Sequence, residues 1–132
     1  MHKCGQLTVL AALLTAGLQA CAQAPAKAIE DVEPEVTAQV RDMVGQLSSG
    51  QSPAARMTER ASAAATGDAL AGMQALLKSC TKPPALVLQQ RSTKGEDRRY
   101  DYRVDCGAAP LQLHVEFNKA ARVNVLTLNR LE

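Results

Sequence analysis

From Arg98 to Cys106 the chain reads RRYDYRVDC, and from Leu111 to Phe117 it reads LQLHVEF. Both stretches alternate without a fault. Tyr100, Tyr102, Val104 and Cys106 share one parity, and Arg99, Asp101, Arg103 and Asp105 share the other. Leu111, Leu113, Val115 and Phe117 then stand against Gln112, His114 and Glu116. A period of two is the pattern of a strand with one dry and one wet face, whereas on a helix the same residues would scatter around the cylinder. With Gly107-Ala108-Ala109-Pro110 as a four-residue hairpin loop, Val104 faces Leu113, Tyr102 faces Val115 and Tyr100 faces Phe117. Both apolar rows then lie on one side of the sheet. An earlier strand over Ala85–Ser92 is turned by Lys94-Gly95-Glu96-Asp97. A last one spans Arg122–Arg130, where Val123 and Val125 have one parity and Leu126 and Leu128 the other, the mark of a bulge.

Upstream of Pro83-Pro84 the period is helical. Val36, Val40, Met43, Val44 and Leu47 form one stripe behind Pro34 at a first-turn position, and Ser48-Ser49-Gly50 ends the run. Glu30, Asp31, Glu33 and Glu35 crowd its start, where negative charge complements the helix dipole. Ser52 before Pro53 reads as a cap and first turn for a second helix with Met57, Ala61 and Ala64 inward. Asp68 reads as the cap of a third, with Leu70, Met73, Leu76, Leu77 and Cys80 on one face. Thr66-Gly67 either separates these two or bends a single helix. Helices followed by consecutive antiparallel strands predict an α+β fold: two to three N-terminal helices packed on one face of a curved four-stranded antiparallel sheet. Cys80, at the end of a helix, and Cys106, at the inward end of a strand, are then either a disulfide stapling helix to sheet or two buried thiols.

The N-terminus constrains location. A short polar start with Lys3 precedes an apolar run, Leu7–Leu18, of about 12 residues, where a spanning helix needs roughly 20. That is a signal-peptide layout; a plain secretory signal, or an apolar core helix with a chance cysteine, is the alternative to what the next residues suggest. The run leads into Leu18-Gln19-Ala20-Cys21, which resembles the lipobox of bacterial lipoproteins. The resemblance implies diacylglyceryl transfer to the Cys21 thiol, cleavage before it and acylation of the new amine. Several acyl chains together anchor a protein stably where one does so only marginally. Ala22 and Gln23 follow, with no Asp, and the sorting rules that accompany the resemblance then imply the outer membrane, facing the periplasm. The expected organisation is a lipoprotein signal peptide over 1–20, a flexible Ala, Pro, Gln and Lys tether over 21–32 and one domain over 33–132. In an oxidising envelope compartment the Cys80 and Cys106 pair favours the disulfide.

The order of helices and then LVLQQRS, RRYDYRVDC, LQLHVEFN and RVNVLTLN resembles the small exported domains of the nuclear-transport-factor-two-like (cystatin-like) superfamily, over roughly Glu33 to Leu131. Its best local match is the strand Arg99-Tyr100-Asp101-Tyr102-Arg103-Val104. Asn118-Lys119-Ala120-Ala121 stands where that family often has Asp-x-x-Gly-Lys. The resemblance implies a curved sheet wrapped on a long helix. It also implies, in the isomerase-like members, an acid inside the cone in an apolar pocket; the inward rows here offer Leu, Val, Phe, Tyr and Cys.

The charge balance is near neutral, with 15 basic and 13 acidic residues, which gives no footprint for nucleic acid. Two Tyr, one Phe and no Trp leave little surface for stacking on sugars or bases. His114 with Glu116, Asp101, Arg103 and Asp105 makes a polar group on the wet face, read either as solvated charge or as a site for metal or proton transfer. The expectation is a non-enzymatic, cofactor-free, membrane-tethered binding module. Its partner surface is the wet face of the sheet, Arg91, Arg99, Asp101, Arg103, Asp105, His114 and Glu116, together with Arg122. The partner is another protein or a second copy, in roles such as immunity against a toxin, inhibition or envelope assembly. The competing class is a small apolar ligand binder or isomerase-like enzyme.

Overall fold

The protein is described by a computed structural model over residues 27–131; the apolar N-terminal run and Cys21 lie outside the described residues. Three α-helices precede four strands: α1 (Pro34–Ser48), α2 (Glu59–Ala64), α3 (Gly67–Lys78), β1 (Ala85–Lys94), β2 (Asp97–Asp105), β3 (Leu111–Phe117) and β4 (Val123–Arg130). A single 3-10 turn, Ala54–Arg56, lies between α1 and α2. The strands form one antiparallel meander in the order β1-β2-β3-β4.

The α1 stripe is buried as its spacing predicts: Val36, Val40, Met43, Val44 and Leu47 join one core with Tyr102, Val104, Leu113 and Val115. Side chains of this size each contribute roughly 1.5–3 kcal/mol when removed from water. Thr37 is buried among them because its hydroxyl has partners, described below. Tyr100 stacks near Tyr102 with ring centroids 6.4 Å apart and meets Phe117 edge-on at 5.8 Å, closing one end of the core.

The start of α2 differs from the expectation. Ser52 and Pro53 lead only into the 3-10 turn; the helix proper is capped by Thr58, whose Oγ1 accepts the Ala61 N–H at 3.1 Å. A Thr cap satisfies one of the orphan amides of a first turn. The phase shifts accordingly, so Ala61 and Ala65 are inward and Ala64 is exposed. Helices α2 and α3 are separate, with Ala65 and Thr66 between them. Asp68 sits in the first turn of α3 rather than at its cap, which is Thr66.

The β2–β3 register is also displaced, by two residues. Tyr102 pairs with Leu113, Val104 with Leu111 and Tyr100 with Val115. A shift of two keeps every side chain on its own face, so the burial pattern is unchanged. The displacement follows from Cys106. It leaves the ladder and is joined to Cys80 by a disulfide, with the two Cα atoms 5.0 Å apart. The Cys106 carbonyl accepts the N–H groups of both Thr81 and Lys82 at 2.9 Å. The staple therefore ties the end of α3 to the β2–β3 loop.

Two bulges re-aim side chains. In β4 the register slips between Phe117↔Val123 and Glu116↔Val125, so Asn124 is the extra residue; this is the parity change visible in the sequence. In β1 a second slip, between Leu88↔Tyr102 and Gln90↔Asp101, makes Gln89 the extra residue. The β3–β4 turn places Ala121 at φ 59°, and the Asn118 N–H donates to the Arg122 carbonyl at 2.8 Å.

Candidate functional site

Three places gather polar or concave features. The first is the wet face of the sheet. Asp101 and His114 are direct cross-strand partners, and His114 Nδ1 lies 2.7 Å from Asp101 Oδ1. Its Nε2 is 3.5 Å from Glu116. Arg99 is opposite Glu116 and pairs with it, and Arg103 holds Asp105 through two nitrogens at 3.0–3.2 Å. Each charge is thus answered by a neighbour, and pairs of this kind contribute roughly 0.2–1 kcal/mol each. Among the described residues no three His, Cys, Asp or Glu side chains make a set able to hold a metal ion.

Two of the residues expected on that face lie elsewhere. The bulge at Gln89 inverts the parity of β1 beyond it, so Arg91 stands beside Tyr100 on the helix-facing side. Arg122 reaches back to the carbonyls of Met57 at 3.1 Å and Ala55 at 3.5 Å, holding the segment before α2 against β4.

Arg91 belongs to the second place, a polar clasp at the N-terminus of α1. Glu33 is the N-cap residue, yet its carboxylate does not cap the helix; it reaches across to the sheet. It accepts the Tyr100 hydroxyl at 2.5 Å, pairs with Arg91 at 2.8 Å and with Arg98 at 3.4 Å. Asp31 accepts the Glu33 N–H at 3.0 Å and the Thr37 hydroxyl at 2.6 Å, and Thr37 Oγ1 is 3.0 Å from the Tyr102 hydroxyl. Ile29 N–H donates to the Leu88 carbonyl at 2.9 Å along the edge of β1. Of the acidic residues around the start of α1, Glu35 lies in the first turn, where it complements the dipole, while Glu33 reaches across to β1 and β2.

Electrostatics follow from these contacts. The Tyr100 hydrogen bond, and then the guanidiniums of Arg91 and Arg98, hold the Glu33 carboxyl below its ordinary value against the opposing effect of burial. Burial, and then the bond to Glu33, push the Tyr100 phenol up. Tyr102 is pushed up to about 12, mainly by burial, with the Thr37 hydrogen bond acting the other way. Both phenols are neutral hydrogen-bonding groups at ordinary pH, and the Glu33 carboxylate is committed to three partners.

The third place was not legible in the sequence. A groove of about 980 Å³ runs between α2 and α3 on one side and β4 on the other. Leu126 and Leu128 lie along one wall; Ala61, Ala65, Ala69 and Gly72 form the other, with Met73 between. Small helix residues leave space in the cleft, and Arg60, Lys94, Arg99 and Glu116 are among its polar lining, so the groove is continuous with the wet face. No single segment carries its signature, because the lining comes from parts of the chain more than 50 residues apart.

The described residues form an α+β domain with three α-helices and a four-stranded antiparallel meander. Compared with protein-family models, with curated proteins and with solved structures, it matches none of them. Among the described residues no helix is long and apolar enough to cross a membrane.

Proposed function

We propose that this protein is a lipoprotein of the bacterial cell envelope, anchored through Cys21 to the outer membrane and facing the periplasm, whose domain is a small variant of the nuclear-transport-factor-two-like architecture. It works as a non-catalytic protein-binding module, as an immunity or inhibitor protein against a toxin or as an accessory factor of an envelope assembly. The observation that carries this reading is the filled interior. Where an isomerase-like cone would hold ligand between helix and sheet, Val40, Met43, Tyr102, Val104, Leu113 and Val115 pack at 0% exposure. The open concavity lies instead at the rim, beside an edge strand, where a macromolecule has access. The paired charges of the wet face, Arg99 and Arg103 beside Glu116, Asp101 and Asp105, give a second contact surface.

The aliphatic lining of the groove favours a second reading, a carrier of a small apolar ligand. Photo-crosslinking in intact cells separates the two. A crosslinker placed at Gln112 on the wet face or at Ala64 beside the groove is expected to trap a discrete protein adduct. Recovery of lipid-sized adducts alone would select the apolar carrier, and a strain lacking the protein that stays insensitive to neighbouring toxins would remove the immunity role.

A further inference from the structure

The free edge of the sheet has a specific backbone chemistry. At one end of the β3–β4 ladder the Leu131 N–H donates to the Pro110 carbonyl at 3.1 Å, and at the other the Asn118 N–H donates to the Arg122 carbonyl. Antiparallel ladders alternate between bonded and non-bonded pairs, so these two anchors fix the phase across the bulge at Asn124. Val125, Thr127 and Asn129 turn their backbone groups toward β3. Leu126 and Leu128 turn theirs outward, into the groove. Among the described residues, nothing closes on those outward groups.

The chain itself uses the first position of the same edge. Val123 carries an isolated parallel bridge to Met57, and its carbonyl accepts the Thr58 N–H at 2.8 Å. Past that bridge α2 and α3 pack against the inner side of β4, and the groove lies along the edge between them. We infer that the groove receives an extended segment of a partner protein, which continues the edge from the Met57–Val123 bridge and pairs its backbone with Leu126 and Leu128. This deepens the binding-module reading and rests on it.

Other occupants fit less well. The part of the tether ahead of the described residues, Cys21 to Ala26, is six residues and spans at most about 20 Å. It enters the described structure beside β1, where Ile29 bonds to Leu88. From there it must pass three strand spacings, about 14 Å, before it reaches β4, which leaves too little chain to pair. A second copy pairing β4 with β4 would bring its own α2 and α3 into a groove these helices already wall. A lone strand meets neither obstacle. Its alternate residues would lie toward Ala69 and Gly72 at the rim of the core, and so be small or aliphatic; the others would lie beside Thr127 and Asn129, and so be polar.

The test uses the acylated protein in detergent micelles and a phage-displayed library of random linear peptides. Selected peptides, resynthesised, are expected to alternate aliphatic and polar residues. At saturation they should slow hydrogen exchange at the Leu126 and Leu128 amides at least tenfold. A Cβ added at Gly72 meets nothing within 4 Å, so Gly72→Leu starts into open space at the groove; it should weaken binding tenfold or more with the melting temperature held or raised. Gln39→Arg on the exposed side of α1 should leave binding unchanged. The inference is overturned if no peptide is selected, if bound peptides leave exchange at the two amides unchanged, or if Gly72→Leu binds as the parent does. A protein adduct from Gln112 alongside any of those results would retain the binding-module reading and discard the strand site.

Discussion

Reducing the Cys80–Cys106 bond should remove a large part of the stability of this domain. The cysteines are 26 residues apart, and the closed loop contains Pro83-Pro84, β1, the first hairpin and all of β2. In the chain-entropy description, opening a loop of that length gives the unfolded chain back about 3.5 kcal/mol of conformational freedom at 25 °C. For a domain of roughly 100 residues, with a urea dependence of about 1.2–1.5 kcal/mol/M, the unfolding midpoint should fall by about 2–3 M. The assay is urea unfolding followed by circular dichroism, with and without reductant; a thioether-linked lipid is untouched by thiol reductants, so the comparison isolates this bond. The double variant Cys80→Ala/Cys106→Ala should unfold near the reduced parent, lower by whatever the lost sulfur contacts contribute. Reduced and oxidised midpoints agreeing within about 0.5 M would refute the reasoning, because the loop would then constrain an unfolded ensemble that is already compact.

Further outcomes follow from particular residues. Thr37→Val leaves the Tyr102 hydroxyl buried without its 3.0 Å partner and should cost about 1–3 kcal/mol; adding Tyr102→Phe should recover part of that loss, measured as a double-mutant cycle in urea. Stability should also depend on pH at both ends. With its folded value below the ordinary one, the Glu33 carboxylate adds stability that is present above about pH 4.5 and lost as pH falls through the folded value, and Glu33→Gln should flatten that acid limb. Tyr102 is opposite in sense: its contribution is complete below pH 10 and is lost as pH rises toward about 12, on the order of 2–3 kcal/mol, a limb that Tyr102→Phe should remove. At Gly107, φ is 82° and an added Cβ would collide with Thr81 Oγ1 and lie 3.0 Å from Lys82 Cγ, so Gly107→Ala should lower the melting temperature by several degrees, for a cost of roughly 1–3 kcal/mol. Ala121→Gly should act the other way, raising stability by about 0.5–1 kcal/mol, since Ala121 holds a left-handed conformation at φ 59°.

The strand alternation carried most of the fold. Tyr100 to Cys106 and Leu111 to Phe117 fix which side chains are inward, because a one-residue error would expose every one of them. The same argument is blind to a shift of two, which is why the β2–β3 register was displaced while its faces were right. Only the tie of Cys106 to Thr81 and Lys82, a contact between distant segments, sets the true register. The bulge in β4 shows in the sequence as a change of apolar parity at Leu126. The bulge at Gln89 does not show, since Gln89, Gln90, Arg91 and Ser92 are all polar and give no parity to read. That silence misplaced Arg91 onto the wet face and hid its meeting with Glu33. Thr58 was overlooked as a cap because Ser52-Pro53 carries a stronger local signal for a helix start than Thr58 before Glu59 does. The groove is a tertiary object: alanines at helical spacing mean nothing until an edge strand lies across from them.

The proposed acylation at Cys21 and the Cys80–Cys106 staple are the two covalent features on which the proposed function rests. Intact-mass measurement of the protein extracted from bacterial membranes tests both together. The predicted result is a chain beginning at Cys21, carrying a diacylglyceryl group and an amide-linked acyl chain, and two hydrogens lighter than the fully reduced form. A chain recovered from the cytoplasm that still begins at Met1, without lipid and with every cysteine as a thiol, would contradict it.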